Sequence, residues 1–404
     1  MGRGSPRAAG DTHEKAGIDT YAGRTHPTMK RSIHGMPSSV MLAAGGTGGH
    51  LFPAFALAQE LGRRGIAVDL VTDMRADRYE AGFPARAIYR VPSATTAGKS
   101  IVGKGLAGFR LARGVWASWR LLGRVKPAVV VGFGGYPCFP PLVAARLRGV
   151  PTALHEQNAV LGRANRMLAK NVTAIAASFE HTRFLEGPLL AKVRVTGNPV
   201  RDLVAQWAAQ PYEPPRPGGP YSLLVFGGSQ GARFFADAVP EALALLPPQV
   251  RASTLVVQQC REEDLERVGA AYRAAGIHAQ LAAFFPNLPE AMAKAHLVIC
   301  RSGASTVAEL TAMGRPAILV PLPHAIDNDQ LQNALRLAEA GGGWCLEQKN
   351  YSAQFLADAL ARLFTEPDAL SRAAVVAKAQ GRPRAVTDLA DLIEELIGRT
   401  ARSA

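Results

Sequence analysis

The chain alternates short apolar runs with segments of helical periodicity, and it does so twice. VMLAAGG (residues 40–46) is apolar up to its glycines, as a strand buried on both faces must be. A helical pattern follows from Phe55 to Arg64, and AVDLVTD (67–73) is a second strand. PAVVVGFGG (127–135) and PTALHEQ (151–157) continue the series. Strands separated by helices predict a doubly wound parallel sheet. At QWAAQPYEPPRPGGP (206–220) the density of Pro and Gly marks a linker. The alternation then restarts with YSLLVFGG (221–228), STLVVQQ (253–259), HLVICRSG (296–303) and AILVPLP (317–323). A helical tail from Ala385 to Ile397 closes the chain. The expected fold class is α/β, with two Rossmann-like doubly wound parallel-sheet domains facing across a cleft. Ligands of such folds bind at the carboxyl edges of the strands. Residues 1–36 are polar, rich in Gly, Ser and Arg and without periodicity, and read as a disordered leader. Met29 or Met36 is an alternative start.

Composition narrows the class. The 404 residues suffice for two or three domains, and 48% hydrophobic with 19% charged residues is a globular balance. Cys138, Cys260, Cys300 and Cys345 are scattered without CxxC spacing, which argues against a disulfide framework and a zinc site. The charged N-terminus has no apolar run, so no signal peptide is expected, and Pro6 stands where a myristoylation signal needs Ser or Thr. The uncharged stretch from Pro127 to Ala145 holds four prolines and three glycines, so a spanning helix is not expected.

The net charge of +14 calls for an acidic partner: nucleic acid, anionic lipid or a polyphosphate. Seven basic and no acidic residues lie between Lys99 and Lys126. At about 100° per residue, Arg110, Arg113, Arg120 and Arg124 share one helix face. Leu111, Val115, Trp116, Trp119 and Leu122 take the other. Two readings coexist: an amphipathic helix with its apolar face in the core, and a docking surface for an anionic leaflet. The second is helped by the loop before the helix, Ser100 to Leu106.

Five loops carry chemistry. Ala44-Gly45-Gly46-Thr47-Gly48-Gly49-His50 follows the first strand and opens a helix, where backbone amides face an anion. A dinucleotide turn is the alternative, with Asp73 as its ribose-binding acid, but Leu51 occupies the place of the third glycine. A histidine at the mouth of such a loop can serve as a general base. Gly132-Phe133-Gly134-Gly135-Tyr136 is a second glycine turn, either for another phosphate-bearing ligand or for tight strand–helix packing. His155-Glu156-Gln157-Asn158 ends a strand with four polar residues, suited to sugar hydroxyls or to an ordinary cap. In the second half, the loop from Phe226 to Arg233 offers Ser229 to a phosphate. Arg301 to Glu309 adds helix-terminal amides, two hydroxyls, and Glu309 to accept ribose hydroxyls. Asp327-Asn328-Asp329 has the DxD spacing of metal-binding transferases, but without acidic neighbours no metal site is expected.

GGTGGH, HEQNAVLGRANR, TGNPVR, FGGSQGAR, CRSGASTVAEL and DNDQLQNA occur in this order. Together they resemble the MurG family of bacterial peptidoglycan glycosyltransferases, from about Ser39 to the C-terminal helix. The resemblance implies a GT-B fold. Its N-terminal acceptor and membrane-side domain would span residues 37–198, and its UDP-GlcNAc domain residues 199–382. The helix of about 383–402 would pack back on the first domain.

It also implies GlcNAc transfer from UDP-GlcNAc to the MurNAc 4-hydroxyl of the undecaprenyl-pyrophosphoryl-MurNAc-pentapeptide, lipid I. Inversion would give the β-1,4 linkage of lipid II, in the service of cell-wall biogenesis, cell shape and division. Thr47, Gly48, Gly49, Asn158 and Arg201 would surround the GlcNAc, and Ser229 would bind phosphate. Phe285 would border the uracil, and Ala304, Ser305, Thr306 and Glu309 would hold pyrophosphate and ribose. Gln330 would reach sugar hydroxyls, and Gly134, Gly135 and Tyr136 the acceptor pyrophosphate. His50 is the leading base and Glu156 the reserve. Phe285 and Asp329 depart from the residues common in that family. No cofactor or metal is required. The expected partners are lipid I, anionic inner-leaflet lipids and other cell-wall synthesis and division proteins, not nucleic acid. The expected place is the cytoplasmic face of the inner membrane, held peripherally. Alternatives are another UDP-sugar transferase, a UDP-GlcNAc epimerase, or a basic membrane- or nucleic-acid-binding protein on a Rossmann scaffold.

Overall fold

The computed structural model describes Met1 and residues 39–45, 48–73, 82–94 and 101–403; side chains of 101–104, 228–232, 326 and 400–403 are outside the description. The leader at 2–36, and Gly46 and Thr47 of the first glycine loop, lie outside the described residues.

Two parallel sheets form the frame. The first has the order β3-β2-β1-β4-β5-β6-β7. Its strands are β1 (Ser39–Ala43), β2 (Ala67–Thr72), β3 (Ala87–Arg90), β4 (Val129–Gly132), β5 (Thr152–Glu156), β6 (Ala174–Ala177) and β7 (Val193–Val195). The second has the order β10-β9-β8-β11-β12-β13. It comprises β8 (Tyr221–Phe226), β9 (Thr254–Gln259), β10 (His278–Ala282), β11 (Leu297–Cys300), β12 (Ala317–Leu319) and β13 (Gly343–Cys345). Each strand order reverses beside the first strand of its sheet, between β1 and β4 and between β8 and β11. Loops there diverge and open a crevice. The first glycine loop and the Gly132 turn flank one crevice, and the Ser229 and Arg301 loops flank the other.

Strand alternation feeds two cores per sheet. Val40 and Leu42 of β1 face one way while Met41 and Ala43 face the other. Leu223 and Val225 are likewise separated from Leu224 and Phe226 in β8. Helices on both faces explain why these strands read as continuous apolar runs. Helix Ala385–Ser403 inserts Leu389, Ala390, Ile393 and Leu396 into the core beneath Leu57 and Leu61 of the first half. The two leucines and the isoleucine each contribute about 1.5–3 kcal/mol by leaving water. Arg64 adds hydrogen bonds to Asp391 (2.7 Å) and Glu394 (3.1 Å) on that helix.

Four sequence readings differ from the fold. The first helix runs Gly48–Arg63, starting well before Phe55, because the loop glycines themselves take helical conformation. Gln206, Trp207 and Ala208 belong to helix Asp202–Ala208 rather than to the linker, with Val204 fully buried beneath it. In the long helix Ile101–Val125, Trp116 (58% exposed) and Trp119 (43%) do not face the core, and neither do Leu106 (53%) and Phe109 (66%). The helix buries only a narrow stripe, including Ala107, Ser118, Leu121 and Leu122. Residues 101–106, expected to be a loop, are its opening turns.

Candidate active site in the interdomain cleft

The first helix starts at the carboxyl end of β1, so His50 lies in its first turn. The imidazole sits over the turn after β4. A Cβ on Gly134 would stand 3.1 Å from His50 Cε1, and one on Gly135 would stand 3.3 Å from Cδ2. Both glycines also have positive φ, 89° and 73°. They are required twice, by backbone conformation and by the ring above them. The turn thus packs closely against His50. Half-buried Tyr136 follows, then Cys138, whose thiol donates to the carbonyls of Ala43 and Gly134, both at 2.8 Å. Burial pushes that thiol up to about 12.

The His155-Glu156-Gln157-Asn158 segment leaves β5 directly beneath. Glu156 is buried, and its Oε1 accepts from the Asn158 backbone (3.0 Å) and Nδ2 (3.2 Å). Its Oε2 accepts from Gly162 N (2.9 Å) and Asn165 Nδ2 (2.8 Å). These four internal donors make the carboxylate an organiser of the loop. Gln157 places its amide between two rings, 3.2 Å from His50 Nδ1 and 2.9 Å from His155 Nδ1. His155 is buried, its Nε2 3.0 Å from the Gly197 carbonyl, and burial lowers its pKa to about 4, leaving the ring neutral.

The second half answers with helix Ala304–Met313. Its N-cap is Gly303, which has no side chain to occupy the first amides, so they remain suited to an anion. Ser305 Oγ donates to the Gly49 carbonyl at 3.4 Å, so this helix start meets the start of the His50 helix. Thr306 follows on the same turn, half-buried. Glu309 is buried and paired with Arg201 at 3.3 Å, and the Arg201 guanidinium lies 4.1 Å from the centre of the Phe52 ring. Burial raises the Glu309 carboxyl above its usual range, while Arg201 draws it back. Gln330 is committed to its own half: Oε1 accepts from Leu322 N (3.0 Å), and its carbonyl accepts from Ser302 Oγ (2.8 Å).

Asn333 stitches the halves together. Its Nδ2 donates to Asn158 Oδ1 (3.0 Å) and to the Ser302 carbonyl (3.1 Å), while its Oδ1 accepts from Ala159 N (2.9 Å). Asp327 pairs with Arg166 and Arg163 of the first half. Asp329 Oδ1 accepts from Gln330 N at 2.7 Å. The DxD carboxylates are thus engaged by guanidinium groups and backbone. Among the described residues no three His, Cys, Asp or Glu side chains are grouped to hold a metal ion.

Gly48, Gly49, His50, Gly134, Gly135, Glu156 and Asn158 therefore gather on one wall, and Arg201, Ala304, Ser305, Thr306, Glu309 and Gln330 line or flank the other. Three assigned residues stand apart. Thr47 is outside the described residues, and Ser229 is described only by its backbone in the first turn of helix Gly228–Ala244. Phe285 borders a different cavity of about 770 Å³ along β8, β9 and β10, which none of the other assigned residues lines. Asn333 and Phe52 were not assigned from sequence, while His155 and Gln157, read there as suited to sugar hydroxyls or a cap, are buried beneath His50. Three of them lie inside quoted motifs, but only the fold reveals which neighbour each one holds.

The comparisons agree with this architecture. Residues 40–177 match the glycosyltransferase family 28 N-terminal domain, and residues 222–391 match the family 28 C-terminal domain. A relative from Rhizobium etli is 50% identical over 358 residues, covering 88% of this chain and 95% of its own length. One from Methylobacterium sp. is 52% identical over 357 residues, covering 88% and 96%. Both bear the name UDP-N-acetylglucosamine--N-acetylmuramyl-(pentapeptide) pyrophosphoryl-undecaprenol N-acetylglucosamine transferase. The crystal structure of Acinetobacter baumannii MurG superposes with a TM-score of 0.72 at 30% identity, covering 89% of this chain and all of that one. A UDP-GlcNAc 2-epimerase from Neisseria meningitidis, at 15% identity and a TM-score of 0.61, shares the fold alone. With both of its halves matched and its relatives covered almost end to end, the chain belongs to glycosyltransferase family 28 and, within it, to the MurG family.

Proposed function

We propose that this chain transfers N-acetylglucosamine from UDP-GlcNAc to the 4-hydroxyl of MurNAc in undecaprenyl-pyrophosphoryl-MurNAc-pentapeptide, with inversion at the anomeric carbon. The observation that carries the reading is the meeting of two helix starts. Ser305, on the turn suited to a pyrophosphate, touches Gly49, the residue before His50. A base is thereby held next to the place where a sugar diphosphate would break.

His50 takes the proton of the 4-hydroxyl as that oxygen attacks C1, and the bond from C1 to the UDP oxygen breaks with its electron pair leaving on UDP. The new charge is met by the amides opening helix Ala304–Met313 and by the hydroxyls of Ser305 and Thr306. Glu309 accepts the ribose hydroxyls, and Asn158 and Arg201 flank the sugar. Gly134, Gly135 and Tyr136 lie where the acceptor pyrophosphate would approach His50. No metal is required, because helix termini supply the stabilisation. The exposed Leu106, Phe109, Trp116 and Trp119, interleaved with exposed Arg110, Arg113, Arg120 and Arg124, suit docking on an anionic inner leaflet. No helix among the described residues is long and apolar enough to cross a membrane, which is consistent with peripheral attachment.

The test is UDP release from UDP-GlcNAc with and without a lipid I analogue, each with and without EDTA. Acceptor-dependent release that is indifferent to EDTA is expected. Donor turnover without acceptor would favour an epimerase, and loss with EDTA would overturn the metal-free mechanism.

A further inference from the structure

Beneath His50 lies a line of polar groups that ordinary substrate contacts do not explain. It runs from His50 through Gln157 and His155 to the backbone of Gly197. His155 and Gln157 are almost fully buried, at 0% and 2% exposed. Burying a histidine and a glutamine together is unfavourable unless every polar atom finds a partner.

The direction of each hydrogen bond follows from its two ends. Gln157's nitrogen lies 3.0 Å from the His155 carbonyl, which can only accept, so Nε2 is the atom there and Oε1 is the atom facing His50. An amide oxygen also only accepts. His50 Nδ1, 3.2 Å away, must therefore carry a proton. The far end gives the same answer independently. His155 Nε2 faces the Gly197 carbonyl at 3.0 Å, so it carries the proton of that ring. In the neutral ring Nδ1 is then bare, and it accepts from Gln157 Nε2 at 2.9 Å. Two backbone carbonyls, those of Gly197 and His155, thus polarise the line in one sense. Reversing Gln157 would set two acceptors against each other at its nitrogen end and leave His155 Nδ1 facing an oxygen.

We propose that Gln157 and His155 are positioning residues forming a relay that fixes the tautomer of His50, with the proton on Nδ1 and the lone pair on Nε2. The proposal rests on His50 acting as the base, and it names which nitrogen does so. A histidine with its proton on Nε2 would present a donor to the acceptor hydroxyl and could not take its proton there. The relay is neutral throughout, unlike the carboxylate that often orients a catalytic histidine. Among the described residues, His155 beneath the ring and Asp329 from the second half both interact with it electrostatically. The glycines at 134 and 135 complete the arrangement, since the absence of Cβ atoms leaves space at Cε1 and Nε2.

Nitrogen NMR of the full chain with ¹⁵N-labelled histidine reads both tautomers without any substitution in the relay. A protonated Nδ1 and bare Nε2 on His50, with the reverse on His155, is expected; a proton on His50 Nε2 in the neutral ring would overturn the proposal. Kinetics give a second readout. Gln157→Ala is expected to lower kcat by about tenfold or more, with the KM for UDP-GlcNAc little changed. Gln157→Glu keeps an acceptor for Nδ1–H and adds a charge that favours the imidazolium. It is expected to retain more activity than Gln157→Ala and to move the acidic limb of kcat/KM to higher pH. Wild-type kcat in Gln157→Ala, or an unmoved limb in Gln157→Glu, would contradict the relay. If His50→Ala keeps wild-type kcat while the tautomers are as expected, the base assignment fails and the relay stands.

Discussion

Asn333 of the second half holds Asn158 of the first: its Nδ2 donates to Asn158 Oδ1 at 3.0 Å while its Oδ1 accepts from Ala159 N at 2.9 Å. One fully buried amide thereby fixes the sugar-side loop of one domain from the helix of the other. Asn333→Ala leaves a buried amide N–H and the Ser302 carbonyl without that partner, at about 1–3 kcal/mol for such groups. Chemical denaturation should register a loss of that size, and the KM for UDP-GlcNAc should rise. An unchanged denaturation midpoint with unchanged KM would mean the bridge is incidental.

Glu309, the proposed acceptor of ribose hydroxyls, is paired with Arg201 in this structure. Glu309→Gln removes a charged acceptor, worth about 1.5–3 kcal/mol, so donor affinity should fall by about ten- to a hundredfold. Burial raises the Glu309 carboxyl, so it gains a proton at a higher pH than an exposed glutamate as pH falls. Donor KM in the wild type should therefore climb on the acidic side above the usual carboxylate range. Glu309→Gln should lack that limb; a limb that persists in the variant belongs to another group.

His155 makes a pH signature in stability. Its folded pKa, lowered by burial to about 4 from an ordinary 6.5, means the unfolded chain binds a proton that the folded one refuses. Its contribution is complete above about pH 6.5 and is lost progressively as pH falls toward 4. The loss amounts to roughly 3 kcal/mol at about 1.4 kcal/mol per pH unit. Urea titrations across that range should show a steeper decline for the wild type than for His155→Gln. Equal slopes would mean that His155 is charged in the fold.

Much of this was legible in the sequence, and the failures have physical causes. The central strands β1, β2, β4, β5, β8, β9, β11 and β12 announced themselves because sheets covered on both faces demand unbroken apolar runs. The edge strands and the short interior strand β6 (AIAA) did not. β3 (AIYR) and β10 (HAQLA) are half-exposed and mixed in character, so no run marks them. The glycine loops pointed to the cleft because only backbone conformation and close approach call for such spacing. What they could not reveal is that Gly134 and Gly135 serve His50, since that contact joins residues 84 and 85 positions apart along the chain. Glu156 looked available for catalysis in sequence, and only the fold supplies the Gly162 and Asn165 donors that engage it. Trp116 and Trp119 fell on the apolar face by helical counting, but counting cannot say whether anything covers that face.

The long helix carries its own expectation. Arg120 stacks 4.9 Å from the Trp116 ring and Arg148 3.9 Å from Trp119, so each exposed indole is paired with a cation. Such pairs suit a headgroup layer, where the ring enters the interface and the guanidinium meets phosphate. Trp116→Glu with Trp119→Glu should abolish co-sedimentation with anionic vesicles at low salt while leaving turnover of a soluble lipid I analogue near wild type. Retained binding, or binding indifferent to lipid charge and salt, would contradict the docking surface.

The central claim is that His50 is the base of an acceptor-dependent glycosyl transfer across this cleft. Its most direct test is single-turnover transfer from UDP-GlcNAc to a lipid I analogue by His50→Ala, with donor affinity measured in parallel by equilibrium binding. The chemical step should slow by about a hundredfold or more while UDP-GlcNAc binds within a small factor of wild type. Transfer at the wild-type rate with donor bound would contradict it.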